Sequence, residues 1–349
     1  MISLIIPSYN NLEHLKNAYS SVRKHYTDKV ELVLIDDGSD DGTFEWLQSL
    51  NDPNSIIWRE EKRIGHTILY DRGISKATND IVGILHADMY IAPNYVENVL
   101  KHLKPGKVVC ATRVEPPLHP EGKEKIVRNF GMDFDSLKMD DFYLFADEEM
   151  VRMKDKTTRG MFAPWTMYKS DFEAIGGHDH GFAPFPYEDS DIFQRWVLNG
   201  YKLVQSRDAL VYHLTCRGHR WNKEIGKNDD EFKAFEESAR KYYIKKWGSW
   251  IKNDEWGHPL LSPVYNKTLI LTNANDELKN TLEPWGNGGD DVTIEINGNL
   301  FNQQDFQYLT QLPDIIEEQG EIGEFTLGNL KIKINSLESH EKDLIICKS

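Results

Sequence analysis

The run Ile81-Val82-Gly83-Ile84-Leu85 breaks without transition into His86-Ala87-Asp88. So short a run, apolar throughout and closed by polar residues, suits a buried central strand of a parallel sheet. In such sheets ligands bind beyond the carboxyl ends of the strands. Asp88 therefore stands at the mouth of a site, on a rigid element. A carboxylate there can hold a hard cation that also touches a phosphate oxygen. It can equally open a turn or cap the helix signalled by Pro93-Asn94-Tyr95.

The chain of 349 residues is long enough for two domains, and a hydrophobic content of 40% supplies a core. A net charge of −15 argues against a broad nucleic-acid face, although a local basic groove stays open. Cys110, Cys216 and Cys347 are widely spaced and form no CxxC pair, which suits free thiols in a reducing compartment. The start, Met1-Ile2-Ser3-Leu4-Ile5-Ile6-Pro7, lacks the basic flank and cleavage site of a signal peptide and reads as a strand. No apolar stretch approaches bilayer length. The expectation is a cytoplasmic protein, with peripheral attachment to a membrane left open.

Strand and helix alternate through the first hundred residues. Residues 2–6 form a first strand that Pro7 ends, and Leu12, Leu15, Tyr19 and Val22 recur at helical spacing. Residues 30–35 form a second strand, closed by Asp36-Asp37-Gly38-Ser39-Asp40-Asp41-Gly42-Thr43. Residues 55–58 are a short strand, and 65–77 a helix before the 81–85 strand. This alternation is the signature of a doubly wound sheet with right-handed crossovers. There is no Walker loop, and no GxGxxG after the first strand. A turn carboxylate after the second strand suits a base imide N–H or ribose hydroxyls. The competing reading is that Asp36 through Asp41 only shape a turn and cap a helix.

Ile5-Ile6-Pro7-Ser8-Tyr9-Asn10, the Asp36–Thr43 string and His86-Ala87-Asp88, in this order and spacing, resemble the family 2 glycosyltransferases of GT-A fold. The resemblance implies a nucleotide-sugar donor, usually UDP-linked, and a divalent metal, Mn2+ or Mg2+, bridging its diphosphate. Carried over, Pro7, Ser8 and Tyr9 line the nucleoside pocket, Asp37 binds the base with Asp36 close by, and Asp88 is the last carboxylate of the family's Asp-x-Asp motif, with Ala87 between. The first motif position is His86 instead of Asp; it either reaches the donor ribose or is a satisfied core histidine. Arg63, where the family often has Asn, either neutralises a phosphate or is a surface arginine.

Residues 108–112 read as a further strand, after which Glu115-Pro116-Pro117-Leu118-His119-Pro120 ends regular structure. Residues 121–158 include a helix around 147–154; in the resembled family this region belongs to the acceptor side, so it reads as an acceptor wall or lid. Residues 170–175 form a short helix with a glycine C-cap at Gly176-Gly177. Glu188-Asp189 then starts a helix carrying Phe193 and Trp196, where the dipole favours carboxylates. Simple capping explains that placement too. The string from Gly176-Gly177 through Glu188-Asp189-Ser190-Asp191 again resembles the family, and implies Asp189 as catalytic base, with Asp191 as runner-up and Glu188 beside them. A carboxylate within reach of an acceptor hydroxyl can take its proton, and in this family the geometry inverts the anomeric carbon. His213, at the end of the 209–213 strand, often completes the metal shell in the family; otherwise it is a histidine satisfied by backbone. Arg217-Gly218-His219-Arg220 either clamps the diphosphate or is a solvated loop. Gln194-Arg195-Trp196 has the wrong spacing for a processive synthase. Residues 229–250 form a helix whose aromatic stripe suits core packing.

The resemblance ends near residue 260. Strands at 268–271, 292–296, 330–334 and 344–346, with helix near 306–316, give a small α+β domain. The expected architecture is a mixed, mostly parallel GT-A sheet flanked by helices over 1–261, with a donor half at 1–112 and an acceptor half at 113–261, followed by an accessory domain at 262–349 through which an oligomer can form. The expected activity is metal-dependent, inverting transfer of a sugar from a nucleotide-diphosphate sugar to an acceptor hydroxyl. The acceptor classes left open are a glycan, a lipid-linked saccharide, a protein or a modified base. Against it stand a nucleotidylyltransferase, which needs a basic glycine-rich loop after the first strand that Pro7-Ser8-Tyr9-Asn10 is not, and a non-catalytic sugar-nucleotide or glycan-binding module, supported only by His86.

Overall fold

The computed structural model describes residues 1–215, 221–222, 227–228, 230–247, 250–260, 264–272, 292–297, 323–327 and 330–338. In chain order these give β1 (Ile2–Ser8), α1 (Leu12–His25), β2 (Val30–Asp36), α2 (Thr43–Ser49), β3 (Ser55–Arg59), α3 (His66–Lys76), β4 (Ile81–Ile84), β5 (Met89–Ile91), α4 (Tyr95–Leu100), β6 (Lys107–Glu115), β7 (Lys125–Val127), α5 (Met139–Arg152), β8 (Thr157–Thr158), β9 (Trp165–Tyr168), α6 (Lys169–Ala174), α7 (Glu188–Leu198) and β10 (Lys202–His213). The short pair β11 (Trp221–Asn222) and β12 (Lys227–Asn228), helix α8 (Asp230–Trp247), and strands β13 (Val264–Thr272), β14 (Val292–Asn297), β15 (Gly323–Leu327) and β16 (Leu330–Glu338) follow.

The main sheet runs β3-β2-β1-β4-β9-β6-β10-β5, with β7 beside β6 and β8 beside β10. Strands β3, β2, β1 and β4 are mutually parallel. Beyond β4 the sheet turns mixed: β9 is antiparallel to β4 and β6, β10 is parallel to β6, and β5 is antiparallel to β10. The apolar strands are buried because helices cover them; Leu4, Ile5, Val33, Leu34 and Ile84 are fully inaccessible. This is the mixed, mostly parallel sheet that the family resemblance implies, and the alternation of elements accounts for its parallel half.

Three details differ from expectation. Pro7 does not end β1, which pairs with β2 through Ser8↔Asp36. Alternate residues of a strand bond to opposite neighbours, and Leu85 N donates to Ile5 O. Pro7 therefore turns its donorless nitrogen to the β4 side, where pairing has already stopped. The helix expected at 147–154 begins at Met139, because Phe142, Ala146 and Glu149 also lie on one buried face. Strand β6 continues to Glu115, held by β10 on one side and β7 on the other.

The chain divides into two compact units, one built from Met1–Phe235 with Asn253–Pro259 and the other from Glu236–Lys252 with Leu260–Ile346. The second unit contains a sheet in the order β14-β13-β16-β15, in which only the β13–β14 pair is parallel. Strands expected at 268–271, 292–296 and 330–334 are there; the helix expected near 306–316 and the strand at 344–346 lie outside the described residues. In α8, Phe232, Ala239, Tyr243 and Trp247 are buried, as the core-packing reading of its stripe requires. Among the described residues no helix is long and apolar enough to cross a membrane.

Candidate active site

The sheet assembles the site where β4 ends. Residues 86–88 form a tight turn, with Met89 N donating to His86 O at 3.0 Å. Strand β5 follows at once and pairs antiparallel with β10 in the register His213↔Met89. That register carries His213 from the far end of the chain to Asp88, and Leu214 N donates to Asp88 O at 3.1 Å. One ligand atom each from His86, Asp88 and His213 lies within 4.8 Å of the others. The His213 Nε2 to Asp88 Oδ1 distance is 3.6 Å, too long for a hydrogen bond. Two imidazoles and a carboxylate are a donor set that can hold a divalent transition metal such as Mn2+. Burial and the neighbouring His213 lower the His86 pKa to about 3, so its ring is neutral, the form a metal ligand needs.

Behind His213 stands a side chain that the sequence reading passed over. His213 Nδ1 lies 2.8 Å from Glu115 Oε1. Arg113 Nη1 donates to the same oxygen at 2.6 Å, and Lys125 Nζ donates to Oε2 at 3.1 Å. Glu115 is almost inaccessible. Burial alone would raise its pKa, but the His213 hydrogen bond and the Arg113 and Lys125 charges hold it far below the usual carboxylate range. Arg113 and Glu115 are two apart on β6 and so share a face; opposite charges at that spacing were the signal available.

The second arm of the site is the start of α7. Glu188, Asp189 and Asp191 all fall in its first turn, where the helix dipole favours negative charge. No side-chain capping bond closes this end; Tyr187 precedes it with a left-handed φ of 77°. Glu188 Oε1 sits 2.6 Å from His66 Nε2, another partner the sequence reading missed. The His66 ring stacks on Phe185 at 5.4 Å and on His86 at 6.4 Å between centroids, so it touches both arms. Burial opposes protonation of His66, but Glu188 outweighs it and raises the pKa. Asp189, half-buried beside this pair, has its carboxyl pushed up to about 7, first by burial and then by the Glu188 charge. Asp191, the expected runner-up, is different: it is wholly inaccessible and accepts from Arg195 Nε at 2.8 Å. It forms an ion pair of the core in the first turn of α7.

The donor-side residues gather at the ends of β1 and β2. Ser8 is buried at the end of β1, and the Arg63 guanidinium lies 4.3 Å from the centre of the Tyr9 ring. Arg63 also donates to Glu231 at 2.7 Å, so it is a paired side chain and not a loose surface arginine. Asp37, expected to bind a base, already accepts from Ile64 N at 2.8 Å and Gly65 N at 2.9 Å. Asp36 accepts from Ser39 N at 3.0 Å and lies 3.3 Å from Arg59 Nε. Both acids thus hold loops. Gly65 has a φ of +93°, and a Cβ there would fall 2.2 Å from Pro184 Cα, so the segments leading into α3 and α7 meet backbone to backbone. Ala87 is buried within the 86–88 turn. Arg217 lies outside the described residues.

A family model described as glycosyl transferase family 2 matches residues 3–175. Validoxylamine A glucosyltransferase of Streptomyces hygroscopicus subsp. jinggangensis is 26% identical over 229 residues, which is 60% of this chain and 54% of that protein. The dolichol-phosphate mannosyltransferase of Pyrococcus furiosus is 30% identical over 113 residues, 31% of this chain and 32% of that one. The chain spans about half the length of the validoxylamine A glucosyltransferases it matches. Among solved structures, GalNAc-T7 with UDP, GalNAc and Mn2+ superposes with a TM-score of 0.51 at 19% identity, covering 70% of this chain and 48% of that one. At that identity the likeness carries the fold, which is GT-A. The matched segment contains the parallel half of the sheet, the Asp36-Asp37 turn and the 86–88 turn, and over residues 3–175 this is a chain of glycosyl transferase family 2 type.

Proposed function

We propose that this chain is a metal-dependent, inverting glycosyltransferase that moves a sugar from a nucleotide-diphosphate sugar, UDP-linked, to an acceptor hydroxyl. Residues 1–261 form its catalytic domain in this reading, and 262–349 an accessory domain. The observation that carries it is the His66 bridge, which places the His86–Asp88–His213 group and the Glu188–Asp189 helix start side by side. Asp88 and His213, joined by His86, hold a divalent cation, Mn2+ in preference to Mg2+ because two of the three donors are imidazoles. A cation bound there would supply positive charge that stabilises the departing diphosphate. UDP and Mn2+ are what the solved GalNAc-T7 structure holds, and both serve as first choices here.

Asp189 acts as the base. Its raised pKa keeps proton affinity close to what general base catalysis at neutral pH favours. It takes the proton of the acceptor hydroxyl as that oxygen attacks the anomeric carbon on the face opposite the diphosphate, which inverts the centre. Glu188, ionised and held by His66, keeps its negative charge next to Asp189 and so sustains that proton affinity. Tyr9 and Arg63 wall the nucleoside side. His86, on which the non-catalytic reading rested, lies within ligand distance of Asp88 and His213, which supports the catalytic reading.

The test is thermal unfolding across a nucleotide-sugar panel with Mn2+, Mg2+ or EDTA. A donor at one hundred times its dissociation constant should add about 2.7 kcal/mol of stability. A shift that needs metal and one nucleotide-sugar supports the reading and names the donor; no shift with any donor and metal would sink it.

A further inference from the structure

We infer that Glu115 is a positioning residue for the metal site, fixing His213 as the Nδ1–H tautomer so that its Nε2 lone pair faces the cation. The inference rests on the metal-dependent reading above. A neutral imidazole carries one proton and one lone pair, and the partner of one nitrogen decides the role of the other. Here the partner of Nδ1 is a carboxylate at 2.8 Å. That carboxylate already accepts from Arg113 at 2.6 Å and from Lys125 at 3.1 Å, one on each oxygen, so it meets the ring as an acceptor. Nδ1 then donates, and a ring that carries only this one proton offers its Nε2 lone pair. Nε2 is the nitrogen that faces Asp88 Oδ1, at 3.6 Å. An Nε2 lone pair and a carboxylate oxygen turned towards one another repel unless a proton or a metal cation joins them, and with Nδ1 committed to Glu115 both are free to serve one cation.

The arrangement also has a structural source. Parallel pairing of β6 with β10 sets Val114 opposite Tyr212, which brings Glu115 alongside His213. Pairing of β6 with β7 sets Arg113 opposite Lys125, which brings in the second cation. A purely structural ion-pair cluster would need Arg113, Glu115 and Lys125 only. The placement of His213 Nδ1 on the same oxygen as Arg113 is what extends the cluster to the site. Carboxylates bonded to metal-bound histidines commonly set metal affinity by tenfold to a hundredfold.

The full chain, labelled with 15N in its histidines, tests this without any turnover. Expected for metal-free protein, at a pH high enough that the ring carries a single proton, is an Nδ1–H signal for His213, assigned by its loss in His213→Asn. In Glu115→Gln the tautomer preference should collapse, and the Mn2+ dissociation constant, read by calorimetry, should rise about tenfold to a hundredfold. Glu115→Gln leaves Arg113 and Lys125 with excess charge, so Glu115→Gln/Lys125→Met serves as the variant that keeps the cluster closer to neutral; it should lose Mn2+ affinity to the same degree. An Nε2–H tautomer in the wild-type chain, or a Mn2+ affinity unchanged in both variants, would overturn the inference while leaving the metal reading intact. A wild-type chain that takes up no Mn2+ would overturn both.

Discussion

The turns that close β1 and β2 in the parallel half of the main sheet, β3-β2-β1-β4, and the candidate site beside the mixed half, β9-β6-β10-β5, use their acidic side chains differently. In those turns they chiefly meet backbone, with Arg59 also beside Asp36. Asp37 accepts from Ile64 N and Gly65 N, Asp36 from Ser39 N, and Asp41 from Leu12 N and Thr43 N. In the mixed half and the helix beside it they meet side chains: Glu115 meets His213, and Glu188 meets His66. A carboxylate bound to peptide N–H groups shapes a loop. A carboxylate bound to an imidazole changes the chemistry of that imidazole, and through it of whatever binds next. The acids of the parallel half's turns therefore shape loops, and the carboxylate–imidazole pairs of the candidate site stand where the sheet turns mixed.

Four outcomes break or sharpen this contrast. The largest concerns Asp189→Asn, which should lower transfer by about a hundredfold to ten-thousandfold while calorimetry finds donor binding unchanged; undiminished transfer would remove Asp189 from its role. Next, Asp191→Ala should cost about 3–5 kcal/mol in denaturant unfolding, because Arg195 is left charged and inaccessible, and a variant that is stable but inactive would instead place Asp191 in the chemistry. A smaller loss, about 1–3 kcal/mol, is expected for Asp37→Ala, which strips the acceptor from two peptide N–H groups. If that variant kept full stability and lost only donor affinity, the scaffold description of the parallel half would fail. The mildest effect is on pH dependence. Only ionised Asp189 can accept a proton, and burial with the Glu188 charge raises its pKa to about 7, so kcat/KM should climb as pH rises through neutrality. Glu188→Gln removes the charge that raises it and should move the climb to lower pH; a limb that stays in place would separate the two residues.

What the sequence revealed follows the same division. Asp36-Asp37 and His86-Ala87-Asp88 are contiguous strings at strand ends, so both their place in the fold and their chemical type could be read directly. Even there, sequence could not tell whether Asp37 was available, because its partners at Ile64 and Gly65 arrive from another loop. The bond of Glu115 to His213 joins positions 98 apart, and that of His66 to Glu188 joins positions 122 apart. Such pairs depend on strand register and on how a helix start is seated, and neither is set by local spacing. Glu115 was further hidden by Pro116-Pro117, which marked the end of regular structure correctly but drew attention away from the last strand residue. Asp191 shows what spacing leaves out: it shares a turn with Asp189, yet the helix rotates it into the core.

The contact of Gly65 with Pro184 has a consequence for building hybrids of this enzyme. Any side chain at 65 would drive the loop before α3 into the loop before α7, so the two loops form a single mould with one shared wall. A chimera that takes residues 1–112 from one relative and 113–261 from another must inherit glycine at 65 together with the 183–186 backbone that rests on it. Recombination breakpoints placed between those loops will give misfit pairs, and breakpoints placed after α7 will not.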